Sequence, residues 1–302
     1  MRGSGHVLDW ETKPLPFKVY PTLEQIRLPT ALPALGVDTF AALAPADPSA
    51  PAAALDLERL AALLFFSAGV TRVKTYPGGG QIHFRAAAST GALYQTEVYV
   101  VAGAVEGLEA GVYHFSPGDF SLRRLRAGDF RGAVALAAAD DAVAAQPASL
   151  ILSAIYWRNT WKYQARGYRH LFWDSGTMLG QLIAVACALD VPARLVTGFE
   201  DAQLNGLLGL DAEKEGALVA VPLGAPGPPA VASPVVVTLA PEVIPLSPRE
   251  VDYPVLRDAY DNSSLDSEAE VADWRDRGHD RVRSCIPTFH RHPRRQMSYC
   301  KT

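Results

Sequence analysis

The sequence lacks several features that would assign the protein directly to a structural or functional class. Three cysteines among 302 residues are too few for a disulfide framework, which predicts a cytoplasmic protein. The formal net charge of −4 leaves no basic surplus for a nucleic-acid partner. No apolar run near Met1 has the length of a signal peptide. The longest uncharged apolar helix candidate, Ser175–Leu189, has 15 residues, fewer than the ~20 that cross a membrane, so we predict no membrane partner.

The charge that is present is unevenly distributed. Residues 271–302 contain eight basic and three acidic side chains, whereas residues 1–270 carry a net charge of −9. With 49% hydrophobic and 20% charged residues, the chain can bury a sizeable core and is not a disordered sequence. We predict an extended, Pro-rich arm at residues 1–54 and a folded domain at 55–224. Residues 225–302 would be an exit arm with a polar, Arg-rich tail, or the remnant of a second domain.

Strand and helix patterns interleave within the folded domain without strict alternation, which indicates the α+β class. A helix should begin after Asp56, a good N-cap, and end at Gly69. The glycines of Pro77–Gly80 predict a loop. Apolar and β-branched runs predict the strands Glu97–Ala102, Gly111–Phe115, Phe120–Leu125, Ala148–Tyr156, Arg194–Thr197 and Ala217–Leu223. Helical patterns predict a short Ala-rich helix from Asp129 to Ala139, one or two helices between Asn159 and Leu189, and a helix at Glu200–Leu208.

A stretch of small residues, Arg85–Tyr94, precedes the first predicted strand. Small side chains let the backbone approach a flat or anionic ligand, and the hydroxyls of Ser89 and Thr90 offer hydrogen bonds. Arg85 would add a phosphate contact. The same composition also suits an ordinary loop with a surface arginine, and the residues alone leave both interpretations open.

Two further segments carry candidate chemistry. Lys162 stands between Trp161 and Tyr163; a partly desolvated lysine suits general-base chemistry, and the neighbouring phenol can donate or shuttle a proton. The alternative is a lysine whose aliphatic stem lies along an aromatic helix start while its ammonium stays in water. The backbone of Thr197 and Gly198, between a strand and a helix, could meet an electronegative ligand atom.

Metal-ligand residue types are present near the C-terminus, but their spacing matches no familiar zinc pattern, so we predict no metal site. These residues are Cys285, His290, His292 and Cys300. The histidines His114 and His170 have no partner for a catalytic triad that the sequence alone reveals.

Taken in order, these segments resemble the flavin-dependent nitroreductase superfamily, and in particular its SagB-type branch, the azoline-oxidising dehydrogenases of thiazole/oxazole-modified peptide biosynthesis. Residues 88–95, Ala-Ser-Thr-Gly-Ala-Leu-Tyr-Gln, are similar to the family's Pro-Ser-Ala-Gly-Ala-Leu-Tyr-Pro loop. Residues 107–115 resemble its Gly-Leu-x-Pro-Gly-Val-Tyr segment, 162–163 its Lys-Tyr pair, and 166–169 its Arg-Gly-Tyr-Arg helix. The Thr-Gly-Phe turn at 197–199 resembles its Glu-Gly-Phe-Asp turn.

The resemblance implies an α+β, nitroreductase-like fold with a central, mostly antiparallel sheet flanked by helices. It also implies an intimate homodimer with FMN at the subunit junction and a small-molecule or modified-peptide substrate, azoline dehydrogenation being the SagB-type reaction. Lys162 and Tyr163 would be the acid/base pair that assists hydride transfer to or from flavin N5. The cofactor-binding residues that the resemblance implies are Arg85, Ser89, Thr90, Gly91 and Leu93, with the Thr197 and Gly198 backbone near N5.

A second hypothesis rests on cations that the family uses for the FMN phosphate and that this chain lacks. The region of the family's Arg-Arg-Ser-x-Arg segment is Ala/Pro-rich here, and Leu223-Gly224 is followed by uncharged residues. A phosphate without fixed cations loses charge-assisted hydrogen bonds. The chain would then be a degenerate nitroreductase-fold domain with little or no bound flavin, acting as a dimerisation or scaffold module.

Overall fold

The computed structural model describes residues 7–43, 51–78, 80–230 and 233–285, excepting the side chains of 278–285. Six antiparallel strands form the main sheet in the order β1-β6-β5-β4-β7-β8, and a separate hairpin pairs β2 with β3. The strands are β1 (Gln25–Arg27), β2 (Val70–Thr75), β3 (Gln81–Arg85), β4 (Thr96–Ala102), β5 (Gly111–Ser116), β6 (Ser121–Ala127), β7 (Ala148–Ile155) and β8 (Glu215–Leu223). The helices are α1 (Thr39–Ala42), α2 (Leu57–Ala68), α3 (Arg131–Ala137), α4 (Tyr156–Tyr163), α5 (Gly167–Ala188), α6 (Asp201–Leu208), α7 (Pro254–Asp261) and α8 (Glu268–Cys285).

The sheet is buried on both faces because its side chains alternate between two cores. In β4, Val98 and Val100 enter the core that α2 and α5 cover, whereas Tyr99 and Val101 enter the core under α3 and α6. All of β7 is buried, as predicted for a central strand. This arrangement confirms the predicted α+β class with a central antiparallel sheet flanked by helices.

Helix α2 has the bounds that its sequence predicts. The Oδ1 atom of Asp56 accepts a hydrogen bond of 2.7 Å from the Arg59 backbone N–H, which satisfies one of the free donors of the first turn. The helix ends before Gly69, whose N–H donates to the Phe65 carbonyl at 2.9 Å. Leu60 and Leu64, four residues apart, point to one face and are fully buried.

Several elements differ from the sequence prediction. Strands β2 and β3 form a hairpin, of which the sequence prediction included only the turn. Most of their side chains are exposed, and the alternation of Ile82 and Phe84 with polar residues in β3 is too short to mark a strand by itself. Tyr156, predicted as the end of a strand, begins α4. The predicted strand Arg194–Thr197 is reduced to single bridges, among them Val196 with Ala220.

The segment after β8 returns across the surface of the domain. Arg126 Nη2 donates to the Val237 carbonyl at 2.8 Å, and Trp157 Nε1 donates to Ser247 Oγ at 2.9 Å. Tyr260 in α7, a helix that the sequence analysis did not predict, and Val271 in α8 are buried. The domain boundary at residue 224 stays a prediction. The loop residues 44–50 and the candidate ligands His290, His292 and Cys300 lie outside the described residues, as does the side chain of Cys285.

Helix α5 has 22 residues and is longer than the 15-residue stretch on which the sequence argument rested. The helical segment Tyr156–Ala188 contains a window that is long and apolar enough to cross a membrane, with 39% of that window buried in the fold. Met178, Leu182 and Val185 of α5 pack in the core beside α2 and the sheet. One face of α5 is thus a core face, and part of its apolar surface stays exposed, including Phe172 and Trp173.

The arm before β1 is bound to the first residue of β8, Glu215. Lys18 Nζ donates to Glu215 Oε2 at 2.6 Å and to Tyr99 Oη at 2.9 Å, and both lysine and glutamate are buried. Ser153 Oγ donates to the other carboxylate oxygen of Glu215 at 2.6 Å. The buried pair is therefore satisfied on both sides, and it holds the arm against β4, β7 and β8.

Candidate functional site

The loop between β3 and β4 is held against α5 by one carboxylate. Asp174 Oδ2 accepts hydrogen bonds from Ser89 Oγ at 2.6 Å and from the Thr90 N–H at 2.7 Å. Its Oδ1 accepts from Thr90 Oγ1 at 2.7 Å. The hydroxyls of Ser89 and Thr90, predicted to face a cofactor, are thus directed at the protein in this structure, and they fix the shape of the loop.

The loop backbone is unusual where it meets α4. Gly91 has a φ of +68°, and Ala92 and Tyr94 have φ values of +54° and +51°, a region that residues with a Cβ rarely adopt. A Cβ at Gly91 would lie 2.9 Å from Tyr163 Oη and 3.3 Å from Lys162 Nζ. The fold therefore brings the predicted loop and the predicted Lys-Tyr pair together at one glycine. Backbone strain of this kind is concentrated at functional sites.

Lys162 ends α4 half-buried, with its ammonium 5.5 Å from the centre of the Tyr163 ring. Within the described ranges no carboxylate pairs with it. The lysine therefore keeps an unneutralised positive charge beside a phenol and an exposed stretch of backbone. Such a group can donate a proton to a ligand placed against Gly91, or it can neutralise negative charge on that ligand.

Arg85 is less available to a ligand than the sequence suggested. The residue is 7% exposed, and its guanidinium lies over the rings of Phe17 and Tyr94, with Nη2 donating to the Pro16 carbonyl at 2.7 Å. Burial lowers its pKa to about 10, partly opposed by Glu97. Its Nε is buried and has no partner among the described residues. Arg85 therefore serves mainly to attach the arm to the loop.

Leu93 and the Thr197–Gly198 turn do not face the same space as Gly91. Leu93 packs against the apolar cluster that includes Trp157 and Trp161. Thr197 borders a cavity of about 200 Å³ that Tyr168 and Phe172 of α5 also line. A Cβ at Gly198 would lie 2.5 Å from the Trp274 ring of α8, so that indole covers the turn.

The two halves of the predicted cofactor site lie on opposite sides of α5. Tyr168 and Phe172 face the Thr197 turn, whereas His170 and Asp174 face the Gly91 loop. Side chains two residues apart in an α-helix point in directions that differ by about 200°, so these two pairs lie on opposite faces of α5. A single copy of the chain therefore does not bring Gly91 and Gly198 to one ligand.

A buried charge cluster lies beneath the loop, and the sequence analysis missed it. Glu97 on β4 accepts from Arg158 Nη1 and from His114 Nε2, the latter at 2.7 Å, and all three side chains are almost fully buried. Burial alone would raise the pKa of Glu97, but Arg158 and His114 outweigh it and hold that pKa far below its usual range. Burial lowers the pKa of His114. Arg158 also donates to the Tyr94 carbonyl at 3.0 Å, so the cluster supports the end of the loop.

Further polar residues behind the loop escaped prediction because they are scattered among apolar neighbours in sequence. They are Gln95, Asn159, His170 and Asp174, all at most 7% exposed. A buried carboxylate in an otherwise apolar helix is a usable signal, since such a group needs partners. In the part of the chain that the structure describes, no three His, Cys, Asp or Glu side chains are arranged to hold a metal ion.

Comparison with known proteins gives the same fold and a family. A family model described as the nitroreductase family matches residues 49–225. A protein of Methanocaldococcus jannaschii assigned as a nitroreductase is 31% identical over 171 residues, 56% of this chain and 81% of the relative. A crystal structure assigned as a nitroreductase from Anabaena variabilis superposes with a TM-score of 0.65 at 27% identity.

The Anabaena alignment covers 87% of this chain, which spans 51% of the length of that protein. The structure of the E. coli McbBCD microcin synthetase complex with truncated pro-MccB17 bound shares the fold, with a TM-score of 0.51 and 20% identity over 69% of this chain and 80% of that one. The family model covers more than half of the sequence, and the M. jannaschii relative is matched over most of its length. The chain belongs to the nitroreductase family of oxidoreductases.

Proposed function

We propose that this chain is an FMN-dependent oxidoreductase of the SagB type in which Lys162 and Tyr163 form the acid/base pair. The observation that carries the proposal is the convergence of Lys162 Nζ and Tyr163 Oη on the Gly91 backbone. Membership of the nitroreductase family supplies the reaction class. The proposed acid/base pair is thus set against the one residue of the loop that has no side chain.

The residues around Gly91 offer the types of group that can bind a flavin. Gly91 leaves a surface free of Cβ, Tyr163 offers a phenol, and Lys162 offers a cation. Arg166 and Arg169, exposed at the start of α5, make no ion pair within the described residues and would hold the phosphate in place of the buried Arg85. When bound, FMN supplies the two-electron redox chemistry.

In this proposal the protein's own residues transfer a proton and stabilise the charge that the transfer leaves. We propose that Tyr163 Oη exchanges a proton with the substrate and that Lys162, 5.5 Å from the phenol ring centre, stabilises the negative charge that this exchange leaves. The proposed substrate class is a modified peptide carrying an azoline ring. The segments at 88–95 and 166–169 support it, because they are the parts of the sequence closest to the SagB-type pattern.

A homodimer is the partner that would join the two halves of the site. The outer face of α5 exposes Phe172 and Trp173 together with Gly176 and Gly180, one turn apart, where a Cβ would meet no atom within 4 Å. Glycines at this spacing let a second helix approach closely. We propose that α5 packs on its counterpart in a second copy, so that Gly91 of one copy and the Thr197–Gly198 turn of the other border one flavin, with the Trp274 indole moved off Gly198.

We expect the substitution Gly180→Arg to convert the dimer to a monomer and to abolish flavin retention. A long charged side chain at the closest approach of two helices cannot be buried without a partner. Sedimentation velocity would show the change of mass. Gly227→Arg is the control, since that glycine is also open and lies away from α5. A dimer that survives Gly180→Arg would remove α5 from the interface.

The flavin itself provides the direct test of the function. Freshly purified protein should be yellow or should take up added FMN with micromolar affinity, and Lys162→Ala should keep the flavin while turnover of an azoline peptide falls about 100-fold, within the range that a proton-transfer group contributes. Lys74→Ala is the matched control, because Lys74 also lies over a tyrosine ring but in the exposed hairpin. If Lys162→Ala loses its flavin, Lys162 binds the cofactor and its role as a proton-transfer group is not supported.

A second candidate function has its own observations. Asp174 uses both hydroxyls of Ser89 and Thr90, and Trp274 covers Gly198. These contacts favour a degenerate domain that binds little flavin and acts as a dimerisation or scaffold module. Protein that stays colourless through FMN titration to millimolar concentration, while remaining a dimer, would decide for this alternative.

A further inference from the structure

Three uncharged polar side chains form a continuous buried path from Asp174 to Tyr163. Gln95 Nε2 donates to Asp174 Oδ2 at 2.7 Å and to the His170 carbonyl at 3.0 Å. Asn159 Nδ2 donates to Gln95 Oε1 at 3.3 Å, and His170 Nδ1 lies 2.8 Å from Asn159 Oδ1. Gln95 and Asn159 are fully buried, and His170 is 2% exposed. We call Gln95, Asn159 and His170 the amide relay.

The amide relay fixes which nitrogen of His170 carries the proton. A backbone carbonyl only accepts, so the Gln95 atom facing the His170 carbonyl must be the amide nitrogen, and its oxygen must face Asn159. The Asn159 atom that donates to this oxygen is then Nδ2, which leaves Oδ1 towards the imidazole. Nδ1 of His170 therefore carries a hydrogen, and in the neutral ring the lone pair is at Nε2.

The oriented imidazole packs directly on the proposed acid/base residue. The rings of His170 and Tyr163 meet edge to face, with centroids 4.6 Å apart and planes at 89°. Trp173 also packs on the imidazole, 5.3 Å between centroids. Nε2 makes no hydrogen bond to the described residues. Contacts with two aromatic rings and a hydrogen bond at Nδ1 restrict the orientation of the imidazole, and the imidazole in turn restricts the Tyr163 ring.

The charged groups near His170 explain why it is neutral. Burial lowers the pKa of His170, with Arg166 acting in the same direction and Asp174 opposing it. From α4, the Tyr163 ring and the uncharged Asn159 amide face the imidazole, and from the loop the uncharged Gln95 lies against the His170 backbone. A positive charge on the imidazole would be buried and repelled by Arg166, so the neutral form is favoured.

We infer that the amide relay positions Tyr163: it holds His170 as the neutral tautomer with its lone pair at Nε2, and this ring holds the phenol against Gly91. The inference rests on the proposed function for its catalytic meaning, but the geometry it describes belongs to the protein without any cofactor. Gln95 makes the link between the loop and α5 through the Asp174 carboxylate and the His170 carbonyl. Asn159 and His170 are positioning residues.

The tautomer can be read from the wild-type protein without a variant. Long-range ¹H–¹⁵N spectra of histidine-labelled protein at pH 7.5, assigned with His170→Gln, should show a protonated Nδ1 and an unprotonated Nε2. Nuclear Overhauser contacts should join the His170 and Tyr163 rings. The opposite tautomer, or rings without contact, would overturn the inference.

The variant Asn159→Asp tests the relay itself. A carboxylate beside Nδ1 should raise the His170 titration midpoint by about one unit or more. Asn205→Asp is the matched control, because Asn205 is also a buried amide, bonded to Tyr260 and the Ala217 N–H, but lies on α6. It should leave His170 unchanged, and an unchanged His170 midpoint in Asn159→Asp would overturn the relay.

The catalytic meaning is tested on FMN-loaded protein with an azoline peptide. Turnover of Asn159→Asp should fall at pH 7 in proportion to the fraction of His170 that is protonated there and recover as the pH rises above the new His170 midpoint, with KM changing less than twofold. A merely structural defect would not recover with pH, and that result would overturn the positioning role. Protein that binds no FMN would refute the proposed function, while the spectra would still decide whether the relay exists.

Discussion

Replacing Gly91 by alanine is expected to produce a folded protein that binds flavin at least tenfold more weakly. The αL backbone conformation costs a residue with a Cβ about 1–2 kcal/mol, so the free energy of unfolding should fall by that amount. The larger effect is steric, because the new methyl group would stand 2.9 Å from Tyr163 Oη and 3.3 Å from Lys162 Nζ. Both groups must move away from the place where we propose that the ligand lies. FMN titration followed at 450 nm should show binding weakened at least tenfold, about 1.4 kcal/mol.

Gly78→Ala separates backbone strain from blocked access. Gly78 also has a positive φ, +99°, but no atom lies within 4 Å of its Cβ position and the residue is in the turn of the exposed hairpin. It should therefore lose a similar amount of stability and keep its flavin. If both variants bind FMN equally well, the ligand does not lie against Gly91.

The largest expected loss of stability follows from Glu97→Gln. This substitution keeps the shape of the side chain but leaves the charge of Arg158, which is fully buried, without its carboxylate. Breaking a buried ion pair on one side typically costs about 3–5 kcal/mol. Urea unfolding followed by tryptophan fluorescence would measure it. The double variant Glu97→Gln/Arg158→Met removes the unpaired charge, and it should recover part of the loss.

A double variant as unstable as Glu97→Gln alone would show that the unpaired charge of Arg158 is not the cause of the lost stability.

The cluster of Glu97, Arg158 and His114 also makes the stability of the protein depend on pH. The folded-state pKa values of Glu97 and His114 both lie below their ordinary values, so the unfolded chain binds more protons than the folded one on the acid side. Stability should be complete above about pH 6.5, the ordinary value for histidine, and fall as the pH is lowered.

Local sequence signals were sufficient for the main framework of the fold. The caps of α2 and the meander of β4, β5 and β6 follow from residues that are adjacent in sequence and alternate between two cores. The hairpin β2–β3 was not predicted because most of its side chains are exposed. Strands of this kind lack the regular spacing of apolar residues that a buried face imposes on the sequence. Helix α7 was missed because its short segment buries few side chains, among them Leu256 and Tyr260.

The site was only partly predictable for a different reason. The sequence placed Lys162, Tyr163 and Gly91 in candidate segments, and the fold brings these together. It could not show that Thr197 and Gly198 lie beyond the opposite face of α5, because order along the chain does not determine on which side of a helix a loop passes. The partners of Asp174 lie 79 to 85 positions away, so no local motif records them.

The pairing of Lys18 with Glu215 has a consequence for synthesis of the chain on the ribosome. Their separation of 197 residues corresponds to roughly 10–40 s of translation at about 5–20 residues per second. Until β8 emerges, Lys18 lacks the carboxylate that neutralises it in the folded protein. The arm therefore leaves the ribosome among the first segments, but its buried ion pair can form only after most of the chain has been synthesised.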